Sequence, residues 1–246
     1  MNSIKVLDHG FVRLVSYMQP ADSHMTVVHN DKWTGDLEIV RNARVSFDAD
    51  WRTGEDEGKD ERLIHRMMEG RHSSPFESMV FTFEVKAPIF VFRQWHRHRT
   101  WSYNEVSARY AELPEEFYVP EPQQVGVQSK NNKQARELPG FHEGSDLLHA
   151  EISTSAITAH CEGSFLVYQE LLARGVPREL ARGVLPVNAY SRMFATVDLH
   201  NLFHFLELRL HKHAQYEIRV YAEALLQLIR DVVPLSVKAF EKKLGL

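Results

Sequence analysis

At positions 97–110 the chain reads Arg97-His98-Arg99-Thr100-Trp101-Ser102-Tyr103-Asn104-Glu105-Val106-Ser107-Ala108-Arg109-Tyr110. From Arg93 to Tyr110, four arginines against one acid give a local charge of +3, in a chain of net charge −4. A concentrated positive segment in an acidic chain predicts an anionic small-molecule ligand rather than a nucleic acid. Arginine offers a fixed fork of donors that matches phosphate oxygens in pairs. The neighbouring serines, Asn104 and Tyr103 add donors that can orient a ring, so the segment predicts a site for a phosphate and a heterocycle.

A solvated helix face or a subunit interface would also explain these arginines. Against that interpretation, the residues among the arginines include Gln94, Trp95, Asn104, Glu105 and Ser107. A plain solvated face more often alternates lysine and glutamate. We therefore favour the binding site.

The segments before this stretch predict a strand followed by a helix. Apolar and polar residues alternate over 79–86, which is typical of a strand with one buried face. Pro88 suits the first turn of a helix. In such a helix Gln94 and Arg93 would lie three and four residues before Arg97, so the three side chains would share a face.

The rest of the chain predicts further elements around this unit, all within one α+β domain over residues 1–246. Polar surface loops are expected at 19–36 and 122–148. The predicted elements are strands over 4–15 and 190–197, a helix from an Asp60 cap to Gly70, a long helix over 147–173, a short helix from Pro177, a helix capped by Asp198, and a helix over 214–231.

Bulk properties exclude several classes of protein. The net charge of −4 argues against general nucleic-acid or membrane-surface binding. Cys161 is the single cysteine and cannot form an internal disulfide, which favours a reducing compartment. No apolar segment is long enough to span a bilayer. We therefore expect a cytoplasmic protein.

The late histidines raise the possibility of a metal site. His200 and His204 are four residues apart on a predicted helix, and His211 and His213 follow. Imidazoles at that spacing can share one ion. No carboxylate or cysteine completes a familiar metal pattern, so polar packing or ligand hydrogen bonding is favoured and no metal is predicted.

Nucleophilic and phosphate-loop motifs are weak in this sequence. Cys161 lies on the predicted long helix, far in sequence from the basic stretch, so an inert thiol is favoured. Ser107 lacks the Gly-x-Ser-x-Gly context of a nucleophile elbow. Neither a Gly-x-Gly-x-x-Gly motif after a strand nor a Walker loop is present.

A second group of arginines lies late in the chain. Arg178 and Arg182 are four apart and can face together, Arg192 follows on a predicted strand, and Arg209 ends the helix capped by Asp198. Compensation of helix C-terminal charge is one explanation. A second arm around the same anion is the other.

The basic stretch and its surroundings closely resemble the flavin-dependent thymidylate synthases. Arg97-His98-Arg99 followed after seven residues by Ser107 is similar to that family's signature. The resemblance covers most of the chain outside 19–36 and 122–148. It extends through Gln94-Trp95, Asn104-Glu105, Arg44-Val45-Ser46-Phe47, His72-Ser73-Ser74-Pro75-Phe76-Glu77, Val85-Lys86-Ala87-Pro88-Ile89-Phe90, Pro177-Arg178-Glu179-Leu180-Ala181-Arg182, Leu185-Pro186 and Leu208-Arg209 to Gln215.

The resemblance implies an α+β fold with a mainly antiparallel sheet packed by helices. It implies a homotetramer in which each active site is shared between subunits. The implied activity is reductive methylation of dUMP to dTMP in de novo dTMP biosynthesis. Methylenetetrahydrofolate would supply the carbon, NADPH the reducing equivalents, and FAD would carry the hydride.

The resemblance also assigns residues to roles. His72 is expected at the flavin and folate face. The flavin set is Ser74, Arg97, His98, Arg99, Glu105, Asp198, Leu199, His200 and His204. The dUMP set is Gln94, Trp95, His96, Arg97, Glu105, Val106, Ser107, Ala108, Arg109, Arg182 and Arg209, with part of it expected from a neighbouring subunit.

These residue types suit the implied chemistry. Uracil C5 becomes nucleophilic when the ring gains electron density, and the Arg209 cation favours such an anionic ring. Arg97, Arg182 and main-chain donors near Ser107 can hold the phosphate. No cysteine nucleophile is required. Two rival interpretations remain: a non-catalytic flavin or nucleotide sensor, and a metal-dependent nucleotide hydrolase using the late histidines.

Overall fold

The computed structural model describes residues 3–19, 34–138 and 144–246. The strands are β1 Ser3–Val6, β2 Gly10–Tyr17, β3 Val80–Pro88, β4 Ser102–Glu105, β5 Val127–Gln128, β6 Arg136–Glu137 and β7 Tyr190–Asp198. At the centre is a five-stranded antiparallel sheet in the order β1-β2-β3-β7-β4, accompanied by a separate two-stranded ribbon of β5 and β6.

Helices pack around this sheet and confirm the expected α+β class. The α-helices are α1 Gly35–Val45, α2 Glu57–Gly70, α3 Ser74–Glu77, α4 Ile89–Trp95, α5 Gly144–Ala173, α6 Arg178–Ala181, α7 Leu199–Arg209, α8 Tyr216–Ile229 and α9 Pro234–Leu244. Short 3-10 helices cover Asp50–Arg52, Pro122–Gln124 and Arg182–Val184. Within the described residues, no helix combines the length and apolar character that crossing a membrane requires.

The longest strand pair of the sheet is β3 with β7, in register from Val80 opposite Asp198 to Pro88 opposite Tyr190. Phe81, Phe83 and Val85 are fully buried on one face of β3, as the alternating pattern predicted. Period-two alternation places every second side chain in the core, so both predicted central strands are confirmed.

Glu84 is the exception to that alternation, because it is buried on the other face of β3. Arg192 of β7 donates from Nη1 to Glu84 Oε1 at 2.7 Å, and Arg13 of β2 pairs with the second oxygen. Two guanidinium groups offset the cost of burying one carboxylate. This ion pair accounts for Arg192, one of the arginines considered for a second arm around the anion.

The single N-terminal strand predicted over 4–15 is wrong, because the chain turns between β1 and β2. Leu7 adopts a left-handed conformation with φ 58°. A Cβ on Gly10 would lie 2.1 Å from the Tyr221 hydroxyl and 2.5 Å from the Val6 carbonyl oxygen. Glycine is therefore needed where the second strand starts, and the apolar residues on both sides concealed the break.

The helix predicted from Asp60 begins earlier. Asp56 is the N-cap, and its Oδ1 accepts a hydrogen bond from Lys59 N at 3.1 Å. Asp60 is instead buried in the first turn, where it accepts from Gly54 N at 2.9 Å and pairs with Arg44. The helix ends at Gly70 as predicted, although the left-handed residue after it is Arg71.

The helix after Pro88 is shorter than expected and ends at Trp95. Tyr103 donates its hydroxyl hydrogen bond to Trp95 O at 3.2 Å and His98 O at 2.8 Å, which satisfies carbonyls beyond the helix end. Arg97 lies outside α4, so the predicted shared helical face with Arg93 is wrong. The chain then continues into the edge strand β4.

The later helices are confirmed near their predicted positions as α5, α6, α7 and α8. Asp198 caps α7 as predicted, since its Oδ1 accepts from Asn201 N at 2.9 Å. The loop expected over 19–36 lies largely outside the described residues, but α1 already begins at Gly35. The loop expected over 122–148 contains the β5–β6 ribbon and the start of α5, with 139–143 outside the described residues.

Candidate functional site

Arg209 is the centre of a cluster at the end of α7. Its Nε donates to His98 Nε2 at 3.1 Å, and its Nη2 donates to the main-chain oxygen of Gln94 at 3.2 Å. Because His98 Nε2 is the acceptor, the imidazole proton resides on Nδ1. The two contacts fix the guanidinium between the end of α4 and the turn that carries His98.

Burial governs the charges of this cluster. Burial, followed by the charges of Arg209 and His204, lowers the pKa of His98 from 6.5 to about 4. Burial also lowers the pKa of Arg209 from its usual value. His98 is therefore neutral at neutral pH and can accept from Arg209. No carboxylate in the described part of the chain pairs with Arg209, so its cation is available to an anionic ligand.

An aromatic wall holds His98 in place. Its ring centroid lies 4.7 Å from that of Phe205, whose ring lies 4.8 Å from Trp95 and 5.2 Å from Trp101. Edge-to-face and tilted rings at these separations stabilise one another. Phe205 and Trp101 were not predicted from the sequence as site residues. Their only indication in the sequence was that they lie next to residues of the family motifs.

Two open clefts meet at His72. A cavity of about 360 Å³ is lined by His72, His200 and His204 together with apolar side chains of α2, α7 and α9. A second cavity of about 510 Å³ is lined by His72, Ser74, Ser46 and Arg66. The structure thus gathers four residues of the expected flavin and folate faces, and adds Ser46 and Arg66 to them.

Ser107 and Arg109 form a separate group beside α6. Ser107 Oγ accepts from Arg109 N at 3.3 Å, and Arg109 pairs with Glu179 at 3.7 Å. Arg182 follows at the end of the same short helix and is exposed. Among the described residues, no hydrogen bond or ion pair joins this group to Gln94, His98 or Arg209.

The remaining candidate residues differ in accessibility. Trp95, Ala108 and Leu199 are buried, so a ligand beside them would meet main-chain atoms. His96 is half-buried, with its ring 4.7 Å from that of Tyr103. Those on the surface of the chain are Arg97, Arg99, Glu105 and Val106.

Asp198 is occupied by its own helix. One oxygen accepts from Asn201 N at 2.9 Å, and the other accepts from Asn201 Nδ2 at 2.6 Å. Both carboxylate oxygens are therefore satisfied within α7. Leu199 N donates to Met79 O at 2.8 Å, so the first-turn amides of Leu199 and Asn201 are both bonded within the chain.

The rival sites have little geometric support. Within the described residues, no three or more His, Cys, Asp or Glu side chains are grouped to hold a metal ion. The rings of His211 and His213 pack on each other at 5.0 Å. Cys161 is buried, and Asn188 Nδ2 donates to its Sγ at 3.2 Å. The thiol therefore serves packing on α5.

Comparisons with known proteins identify the family of this chain. Residues 28–235 match the family described as thymidylate synthase complementing protein, Thy1. The chain is 46% identical over 242 residues to a flavin-dependent thymidylate synthase of Thermus thermophilus, covering 98% of this chain and 79% of that protein. It is 44% identical over 239 residues to that of Thermotoga neapolitana, covering 97% and 94%.

A solved structure is similar as well. The UMP/dUMP methylase PolB from Streptomyces cacaoi, bound with 5-Br dUMP, matches with a TM-score of 0.76 and 35% sequence identity. The match covers 97% of each chain. Both the sequence and the fold therefore point to the same group of proteins.

Proposed function

This chain belongs to the family of flavin-dependent thymidylate synthases and is a methyltransferase, and from this premise we propose that it reductively methylates dUMP to dTMP. Methylenetetrahydrofolate is the proposed carbon donor, NADPH the reductant and FAD the hydride carrier. The reaction would serve de novo dTMP biosynthesis in the cytoplasm, within one catalytic domain over residues 1–246.

The single observation that carries this proposal is the half-buried, uncompensated Arg209. Uracil becomes a carbon nucleophile at C5 when negative charge develops on its ring. A fixed cation in a partly desolvated site stabilises that charge without reorganising. Neutral His98 holds the guanidinium and adds no competing charge, so Arg209 is the proposed catalytic residue.

The proposed nucleotide site combines the two groups of residues. The Gln94–Arg209 cluster would meet the base, and the main-chain amides near Ser107 together with Arg109 would meet the phosphate. Arg182 lies next to that second group. The full proposed substrate set is Gln94, Trp95, His96, Arg97, Glu105, Val106, Ser107, Ala108, Arg109, Arg182 and Arg209.

The clefts at His72 fit the proposed flavin. Apolar walls suit a ring system, and the Arg and His side chains at the clefts suit a diphosphate. When bound, FAD supplies the redox chemistry. His72 is proposed at the flavin and folate face, and the proposed flavin set is Ser74, Arg97, His98, Arg99, Glu105, Asp198, Leu199, His200 and His204.

A homotetramer with shared sites is proposed from membership of the family, with part of the nucleotide set contributed by a neighbouring subunit. Large apolar side chains on α5 support an interface, since Leu148, Ile152 and Leu166 are each more than half exposed. Exposed apolar patches of this kind mark protein–protein contact surfaces.

No cysteine nucleophile is proposed. Cys161 is buried on α5, where its thiol contacts the side chain of Asn188. A thiolate nucleophile needs partial exposure and an electropositive setting. The carbon–carbon bond would therefore form without a covalent enzyme–pyrimidine bond through sulfur.

An absorbance experiment tests the proposal. Purified protein reconstituted with FAD is reduced anaerobically with NADPH, first alone and then with dUMP, and dCMP serves as the control nucleotide. We expect flavin absorbance bands that bleach faster with dUMP than with dCMP. A protein that takes up no FAD, and whose activity on nucleotides is lost with a chelator, would instead support the metal-dependent hydrolase.

A further inference from the structure

Glu217, at the start of α8, is a buried carboxylate that the proposed mechanism does not use. Its Oε1 accepts from Arg136 Nη1 of the β5–β6 ribbon at 2.8 Å and from the Tyr118 hydroxyl at 3.1 Å. Its Oε2 accepts from Gln215 Nε2 at 2.8 Å. Every one of these contacts is one in which the carboxylate accepts.

The choice of donor and acceptor at Glu217 determines the choice at Gln215, and through it the choice at Gln94. A carboxylate can only accept, so Gln215 must turn its NH₂ group toward Glu217. The Gln215 oxygen then faces Gln94 and accepts from Gln94 Nε2. The charge on Glu217 thus determines the orientation of two successive amides.

The outcome is a defined orientation of the Gln94 side-chain amide. With its NH₂ group directed at Gln215, Gln94 retains Oε1 as an acceptor, and no hydrogen bond to that oxygen forms among the residues described. The main-chain oxygen of Gln94 also accepts from Arg209. Gln94 therefore contacts the Arg209 guanidinium through its main chain, while its side-chain oxygen remains an acceptor for a ligand.

We propose that Glu217 is a positioning residue that, through Gln215, presents the Gln94 oxygen to an N–H or O–H donor of the nucleotide. The part that concerns the nucleotide rests on the function proposed above. Glu217 itself touches no substrate. Its effect is to keep Gln94 from presenting its NH₂ group instead.

The substitution Glu217→Gln tests this orientation. The single oxygen of the introduced amide would stay with the two donors Arg136 and Tyr118, and its NH₂ group would face Gln215. Gln215 would then turn over, and Gln94 with it. We expect the KM for dUMP to rise about tenfold, the effect of one misdirected polar contact, with kcat changed less than about twofold.

A matched control lies on the same helix. Glu223 pairs with Arg219 at 3.8 Å and is more than half exposed, so Glu223→Gln removes a carboxylate without touching Gln215. We expect its KM for dUMP to equal that of the unaltered protein. A tenfold rise in this control would assign the effect to the charge of α8 and overturn the proposal.

A rescue variant separates positioning from structural support. In Gln215→Glu with Glu217→Gln, the carboxylate at position 215 can only accept, so it would take the NH₂ groups of both Gln94 and the amide introduced at position 217. The Gln94 orientation is restored although Glu217 is still absent. We expect KM to return to within about twofold of the original. An uncorrected KM would mean that Glu217 acts by holding Arg136 and Tyr118, and would overturn the proposal.

A ligand-free readout keeps this test independent of the proposed function. The side-chain NH₂ signals of ¹⁵N-labelled Gln94 are expected to shift in Glu217→Gln and return in the double variant. Gln215→Met, which leaves Glu217 with Arg136 and Tyr118, should shift them as well. Unshifted signals would overturn the relay whatever the substrate is. Shifted signals in a protein that does not bind dUMP would support the relay and refute the proposed function.

Discussion

Replacement of His98 by glutamine should remove a pH dependence of stability. Burial, followed by the charges of Arg209 and His204, lowers the pKa of His98 in the folded protein from its ordinary 6.5 to about 4. Between these values the unfolded chain binds a proton that the folded protein does not bind. His98 therefore stabilises the fold above pH 6.5, and this contribution is lost as the pH falls toward 4.

The size of this effect follows from the shift in pKa. Lowering the pH from 7 to 5 should reduce the free energy of unfolding through His98 by about 1 to 2 kcal/mol, after allowance for solvent screening at a partly open site. In His98→Gln the amide oxygen can still accept from Arg209 Nε but does not titrate. Between pH 7 and pH 5, the free energy of unfolding of that variant should therefore fall by about 1 to 2 kcal/mol less than that of the original protein.

Urea unfolding at pH 7 and pH 5, at one protein concentration, measures this difference. His160→Gln on α5 is the control, because that side chain is exposed, and it should retain the original pH dependence. If His98→Gln loses as much stability between the two pH values as the original protein, His98 is not the neutral acceptor of Arg209 and the reasoning is refuted.

Three further substitutions test separate parts of the account. Arg209→Ala should reduce dTMP formation at least about 100-fold while FAD absorbance is retained, and near-normal turnover would remove Arg209 from the activating role. Cys161→Ser should keep most of the activity, measured in the same assay, whereas its loss would restore a role for the thiol. Asp36→Ala should lower the free energy of unfolding by about 2 to 4 kcal/mol. The reason is that the buried Asp36 carboxylate accepts from Leu235 N at 2.7 Å and from Ser236 N at 2.9 Å at the start of α9. An unchanged urea midpoint would contradict this.

Local periodicity predicted the elements that position the site. The alternation over 79–86 predicted β3, because period-two burial is a property of the strand alone, and the strand predicted over 190–197 corresponds to β7. The Asp198 cap was equally predictable, since its partner Asn201 is three residues away. β3 leads into α4, which carries Gln94, and Asp198 caps α7, which ends at Arg209.

Long-range contacts account for what the sequence did not predict. The start of α9 is capped by Asp36, which lies 199 residues before Leu235, so no local pattern marks it. The predicted helix through Arg97 failed because Tyr103 takes up carbonyls at the end of α4. The N-terminal hairpin was missed because its turn lies between apolar residues of similar spacing.

In the candidate site, too, local sequence predicted some members and long-range contacts determined the rest. Motif resemblance predicted His98 and Arg209 as members, but their direct contact joins positions 111 residues apart and required the fold. Glu217 was missed because an acid near the start of a helix ordinarily faces water. Its burial depends on Tyr118 and on Arg136 of the ribbon, both distant in sequence.

Product analysis with FAD-loaded protein tests the central claim most directly. The protein is incubated anaerobically with dUMP, methylenetetrahydrofolate and NADPH, and nucleotides are identified by mass. The account predicts one dTMP for each dUMP consumed, with no product when FAD, the folate or NADPH is withheld. Unchanged dUMP in the complete mixture, from protein that retains its flavin, would contradict it.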